Sequence, residues 1–302
     1  MAGRCLARAV RIERRWIVAD SAAALARSGG PLSATTKAVV LARGLGRRMQ
    51  RADAGATVDA EQARIADAGI KGMIPLGRPF LEYVISALAD AGITDVCLVI
   101  GPEHDAIREH FAALCPARVR IHFATQQEPR GTSDAVAAAE SFASGDTVLA
   151  VNADNYYPVG ALRALRNLCG AGAIAFERSA LVERGNFDAV RVASFAVLVV
   201  DDHGMLERII EKPTAAQIDA LQGDVLVGMN AWSLPPEIFH ACRAIAPSAR
   251  GELELTDAVQ YAHDALGVRF RVIVSREGVL DLSTRADIAS AARHLEQVEP
   301  AL

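Results

Sequence analysis

Hydrophobic and polar positions fall into two regimes along the chain. Short apolar runs at 37–42, 96–100, 121–123 and 147–151 have the length and β-branched content of strands buried on both faces. Between them, 80–91 and 133–142 carry helical spacing, the first closed by Gly92. Strand and helix in alternation predict a mostly parallel sheet with helices on both faces. The stretch 50–69 is alanine-rich and polar and shows no clear element. Beyond Tyr157 the pattern changes. Runs at 191–200 and 206–210 flank Asp201-Asp202-His203-Gly204, a turn sequence that predicts a β-hairpin. A further strand is expected within 225–233, followed by a helix from Glu237. The fold class expected is therefore α/β, a Rossmann-like sheet with antiparallel strands added by the second half. The longest apolar run, 193–200, is strand-length and far below the roughly 18 residues of a membrane span, so no membrane partner is expected.

Charge divides the chain differently. Arg4, Arg8, Arg11, Arg14 and Arg15 face one early acid, Glu13, and Ser28-Gly29-Gly30-Pro31 reads as a linker. Residues 1–36 are expected to be an extension, with one domain over 37–302. An Arg-rich, acid-poor start has the look of a transit peptide, but no small-residue cleavage context makes it a secretory signal. The whole chain carries a net charge of −4, which gives no basic footprint for nucleic acid; phosphates would have to be met by a few local cations. Cys5, Cys97, Cys115, Cys169 and Cys242 are scattered without a CxxC pair, the usage of a reduced, cytoplasmic protein without zinc. Against 29 arginines stand three lysines, Lys37, Lys71 and Lys212, so lysine is expected where a compact ammonium is wanted.

The chemistry-bearing segments come in order. After the first strand, LARGLGRRM (41–49) places Gly44 and Gly46 where backbone amides can approach phosphate oxygens, with Arg48 directly behind. Met49 stands where a dinucleotide fingerprint needs its third glycine, and the segment lacks the Gly-Lys-Ser/Thr of a P-loop. Lys71 precedes Pro75 and the helix from Phe80. QQEPRGTSD (126–134) sets Gln126 five residues before Gly131-Thr132; a glutamine can donate and accept on a base edge. VNADN (151–155) ends a strand with Asp154 and Asn155, and a carboxylate there points into the crevice where parallel sheets bind ligands. Glu211-Lys212-Pro213 ends the hairpin, SARGELELTD spans 248–257, and Leu280-Asp281-Leu282-Ser283-Thr284 follows.

Together these segments resemble the family of sugar-1-phosphate nucleotidyltransferases, and 248–257 resembles its glucose-1-phosphate thymidylyltransferases in particular. The resemblance covers about residues 37–290. It implies that Arg48, Lys71 and Asp154 carry catalysis, and that Leu41, Ala42, Gly44, Gly46, Gln126, Gly131 and Thr132 hold the nucleotide. Asn155, Glu211, Lys212, Gly228, Asn230, Arg250 and Glu252 would hold the sugar phosphate, and Asp154 with Asp281 would bind Mg2+. The implied partners are a nucleoside triphosphate, with dTTP or UTP expected, and a hexose 1-phosphate, with room for a homo-oligomer. Several positions depart from the family pattern. Arg43 and Arg47 replace small or hydroxyl residues, Ala153 and Ser283 replace glycines, Val279 replaces a tryptophan, and the spacer between Arg48 and Lys71 is about ten residues long beyond the usual. Guanylyl or cytidylyl transfer to another phosphate, and a non-catalytic protein binding a nucleotide sugar, are the competing readings; a nicotinamide oxidoreductase is disfavoured by the missing third glycine.

Overall fold

The computed structural model describes residues 34–221 and 224–302. Of the segment read as an extension, residues 1–33 lie outside the described residues. Nine strands form one sheet: β1 (Lys37–Leu41), β2 (Asp95–Ile100), β3 (Arg120–Thr125), β4 (Val148–Asn152), β5 (Gly172–Glu177), β6 (Val197–Val200), β7 (Leu206–Ile210), β8 (Leu226–Leu234) and β9 (Arg271–Ser275). Their order is β7-β6-β8-β4-β1-β2-β3, with β5 pairing both β8 and β9. The pairs β1–β2, β1–β4, β2–β3 and β5–β9 are parallel. β8 runs antiparallel to β4, β5 and β6.

Alternation along each central strand explains why these runs are apolar throughout. Ala38, Val40, Leu98 and Ile100 point to one face, where they join Phe80, Leu88, Leu162 and Leu165 of the helices Phe80–Asp90 and Val159–Arg166. Val39, Cys97, Val99 and Ala150 point to the other, against the helices Thr132–Ala138, Glu237–Ala244 and Leu255–Leu266. Each fully buried Val, Leu or Ile contributes about 1.5–3 kcal/mol, so both faces reward the same strand sequence.

The connection order matters for function. From β1 the chain moves to β2 and β3 on one side, then crosses back to β4 on the other. The carboxyl ends of β1 and β4 therefore mark a topological switch point, where a crevice opens above the sheet. Residues 42–46 leave β1 there, and Ala153-Asp154 leave β4 there.

Three local features depart from the sequence expectation. Within 50–69 lies a helix, Ala60–Ala68, started by an Asp59–Gln62 capping box and ended at Gly69. The run 191–200 is not one strand: Ala189–Val192 is a helical turn whose start is fixed by Asp188 accepting from the Arg191 amide at 2.7 Å, and β6 begins at Val197. The 133–142 helix is two pieces, Thr132–Ala138 and Glu140–Ala143, joined at Ala139. No helix among the described residues is long and apolar enough to cross a membrane.

Candidate active site

A cleft of about 380 Å³ occupies the switch point, and Asp154 and Lys71 both line it. Asp154 stands two residues beyond β4. Lys71 begins a single 3-10 turn, Lys71–Met73, and its ammonium is ion-paired with Asp154 Oδ2. Burial alone would raise the Asp154 carboxyl, but the Lys71 charge and hydrogen bond outweigh it and hold the group below the usual carboxylate range. Lys71 also lies against the glycine loop: a Cβ on Gly44 would meet its Nζ at 3.6 Å.

The loop is fixed from behind. Gly46 adopts φ 60°, and a Cβ there would stand 2.3 Å from the Gly69 carbonyl oxygen. The helix Ala60–Ala68, ending at Gly69, thus clamps the loop and delivers Lys71 two residues later. The long spacer between Arg48 and Lys71 is this helix with its approach.

Arg48, on the short helix Arg47–Gln50, donates to Ser283 Oγ at 3.3 Å. That hydroxyl lies 3.5 Å from Asp154 Oδ2 and 3.2 Å from Asp281 Oδ1, so one side chain joins the two acids named from sequence. With a single proton, it donates to one of them at a time. Asp281 is buried, and Asn155 Nδ2 donates to its Oδ1 at 2.9 Å. Burial first, then the charge of Asp154, pushes its carboxyl up to about 6, against the pull of Arg191. Arg191 pairs with Asp281 Oδ2 and, at 2.8 Å, with Asp287 Oδ1.

The opposite end of the cleft carries the glutamine. Both Gln126 Nε2 protons are used, on the Gly131 carbonyl at 3.0 Å and Asp134 Oδ2 at 2.8 Å, which leaves Oε1 to accept from a ligand. Gly131 has φ 124°, and a Cβ there would stand 2.4 Å from the Leu253 carbonyl oxygen. Thr132 Oγ1 accepts from the Leu255 amide at 2.9 Å and stitches this loop to the segment from 248. Leu41 and Ala42 line the cleft beside it, as does Arg43, whose guanidinium bonds Glu103 at 3.3 Å while its Nη1 is buried with no hydrogen-bond partner among the described residues.

The residues assigned to the sugar phosphate divide. Asn230 and Glu252 line the cleft. Asn230 owes its position to a φ of 53° at a break in the β8–β5 register between Gly228 and Trp232. Asn155 is buried and braces Asp281 rather than facing the cleft. Gly228 packs on Leu198. Glu211 and Lys212 are exposed beyond β7, and Arg250 is paired with Glu254 and 4.0 Å from Glu211; none of these lines the cleft. Sequence reasoning missed Arg191 and saw Ser283 only as a substitute for glycine. Arg191 lies 90 positions before its partner, and no local pattern joins them.

Among the described residues no cluster of three or more His, Cys, Asp or Glu forms a metal cage. The donor set suits a hard cation that takes one carboxylate, Asp154, and fills its other positions with phosphate and water oxygens, the habit of Mg2+. Asp281 lies behind Ser283, buried and outside the cleft lining, with Oδ2 engaged by Arg191.

Known proteins share sequence and fold with this chain. The glucose-1-phosphate thymidylyltransferase of Streptomyces antibioticus is 29% identical over 266 residues, which cover 87% of this chain and 67% of that protein. The low-salt glycan biosynthesis nucleotidyltransferase Agl11 of Haloferax volcanii is 29% identical over 202 residues, 65% of this chain; the match spans 52%, about half, of Agl11. A crystal structure of UDP-glucose pyrophosphorylase complexed with UDP-glucose superposes with a TM-score of 0.66 at 17% identity, covering 87% of this chain and 99% of that one, and so shares the fold. The signature of nucleotidyl transferases matches residues 68–298, and the chain belongs to that family.

Proposed function

We propose that this protein transfers a nucleoside monophosphate from dTTP or UTP to a hexose 1-phosphate, giving a nucleotide sugar and pyrophosphate. The observation that carries the reading is the Lys71–Asp154 pair at the switch point, beside a clamped glycine loop and Arg48. A sugar-phosphate oxygen attacks the α-phosphorus, its bond to that phosphorus forms, and the bond to the β-phosphate oxygen breaks as pyrophosphate leaves. Little covalent work falls to the protein; positioning and charge carry the catalysis.

Lys71 and Arg48 hold the triphosphate and offset the charge that grows on the departing pyrophosphate. Amides of the 42–46 loop approach phosphate oxygens. Gln126 Oε1 accepts the ring N–H of uracil or thymine, and Gly131 lets the base lie close to the chain. Asn230 and Glu252, which line the cleft, face the sugar. Asp154 would hold a magnesium ion, which would supply positive charge to offset that of the triphosphate.

A pyrophosphate-release assay over a panel of triphosphates and sugar phosphates tests this. Release with dTTP or UTP and a hexose 1-phosphate is expected. Saturable binding of a nucleotide sugar with no release from any pair would replace it with the non-catalytic reading.

A further inference from the structure

Charge at the acid pair is already balanced from within the chain. Asp154 is matched by Lys71. Asp281 is matched by Arg191, with both side chains largely buried at 7% and 17% exposure. The second arm of the same guanidinium is held by Asp287 Oδ1, and Asp287 Oδ2 is spent on the amides of Ser283 and Thr284 at 3.0 and 2.7 Å. Phe187 lies under the guanidinium at 5.2 Å. Asp281 is fastened on its other sides as well: its amide donates to Asn186 Oδ1 at 2.7 Å, and Oδ1 takes Asn155 and Ser283.

We infer that Arg191 is an internal counter-cation that competes with the metal for Asp281. The guanidinium sits on the oxygen a second carboxylate ligand would offer, so Asp281 contributes to a divalent cation only as Arg191 yields. A bare dication brought here meets Lys71, Arg48 and Arg191 set against Asp154, Asp281 and Asp287, three cations for three acids, so the cluster holds no surplus negative charge to draw it in. A triphosphate brings the negative charge that shifts this balance, so the cation is captured together with the nucleotide. Arg191 is thus a positioning residue that couples metal capture to substrate, and it reached this place through the helical turn Ala189–Val192 inserted before β6. The inference rests on the proposed function only in taking the site's cation to be the reaction's metal.

Mn2+ binding to the full chain, followed by the loss of the free-ion paramagnetic resonance signal and without nucleotide, tests it apart from turnover. Wild-type protein should bind Mn2+ weakly, and Arg191→Gln should bind it on the order of tenfold more tightly or better, since a buried unit charge within a few ångströms is removed. Arg191→Gln combined with Asp281→Asn should lose that gain. Arg191→Lys, which keeps the charge but cannot span Asp281 and Asp287, should fall between and decides the matter if the glutamine variant fails to fold. Affinity in the Arg191 variants no higher than wild type, or a gain that survives Asp281→Asn, overturns the inference. Absence of pyrophosphate release from wild-type protein would instead refute the proposed function and leave the Mn2+ result standing.

Discussion

At the scale of single residues, Asp154 carries two demands that its surroundings reconcile. It must stay ionised in a partly buried place, and Lys71 secures that. Asp154→Asn keeps the shape and removes the charge; turnover should fall on the order of 100- to 1000-fold, as for other deleted transition-state charge contacts, with little change in the unfolding midpoint. Near-native turnover in that variant would remove Asp154 from the mechanism. Asp95, at the far end of β2, is a purely structural acid: hydrogen bonds from Arg120 foremost lower it from 3.8 to about 2. A carboxyl depressed in the fold stabilises fully above its unfolded value, and that stabilisation is lost as pH falls through the folded one. Arg120→Ala should therefore be less stable than wild type at neutral pH, and the gap in urea midpoint should close as pH drops from about 4 toward 2. The residues legible in sequence were those that end an element, such as Asp154 after β4. Arg191 and Ser283 were not, because their roles arise from ion pairs and a bridging hydroxyl across 90 and 129 positions.

At the scale of elements, the long spacer after Arg48 folds as a helix that backs the glycine loop. The helix Ala60–Ala68 has one buried side chain, Ala66, so no apolar stripe announces it; its signals are the Asp59–Gln62 capping box and Gly69. Its task is to hold Gly46 from behind. Gly46→Ala would force an L-residue into φ 60° against the Gly69 carbonyl, at a cost of about 1–3 kcal/mol. The expected outcome is a lowered unfolding midpoint together with a raised KM for the triphosphate, measured in steady-state kinetics; an unchanged KM would show that the clamp does not position the loop. Asp59→Ala, which removes one cap, should cost about 1 kcal/mol and move KM less. Strands β1, β2 and β4 were plain in sequence because burial on both faces leaves only apolar residues. The segment before β6 misled because Val190 and Val192 are strand formers, whereas the Asp188 cap and the short loop decide locally for a helical turn.

On the scale of the whole molecule, a chain of net charge −4 gathers Arg43, Arg47, Arg48 and Lys71 along one rim of one cleft. The parallel half supplies that rim and Gln126, and β8 crosses from the antiparallel half into the parallel one, carrying Asn230 to the opposite wall. A ligand that touches both walls therefore ties the halves together and binds only the native state. At a concentration about a hundredfold above its Kd such a ligand adds about 2.7 kcal/mol of stability. For a chain of this size that corresponds to a rise in melting temperature of about 4 °C. With Mg2+ present, dTTP or UTP should give that rise, and ATP and CTP should give less, since neither offers a ring N–H to Gln126 Oε1. Gln126→Ala should level the four shifts while Lys71→Ala should reduce them all. Equal shifts for all four nucleotides in the wild-type protein would remove Gln126 from base selection, because the groups left to hold the ligand would be the phosphate-binding rim alone.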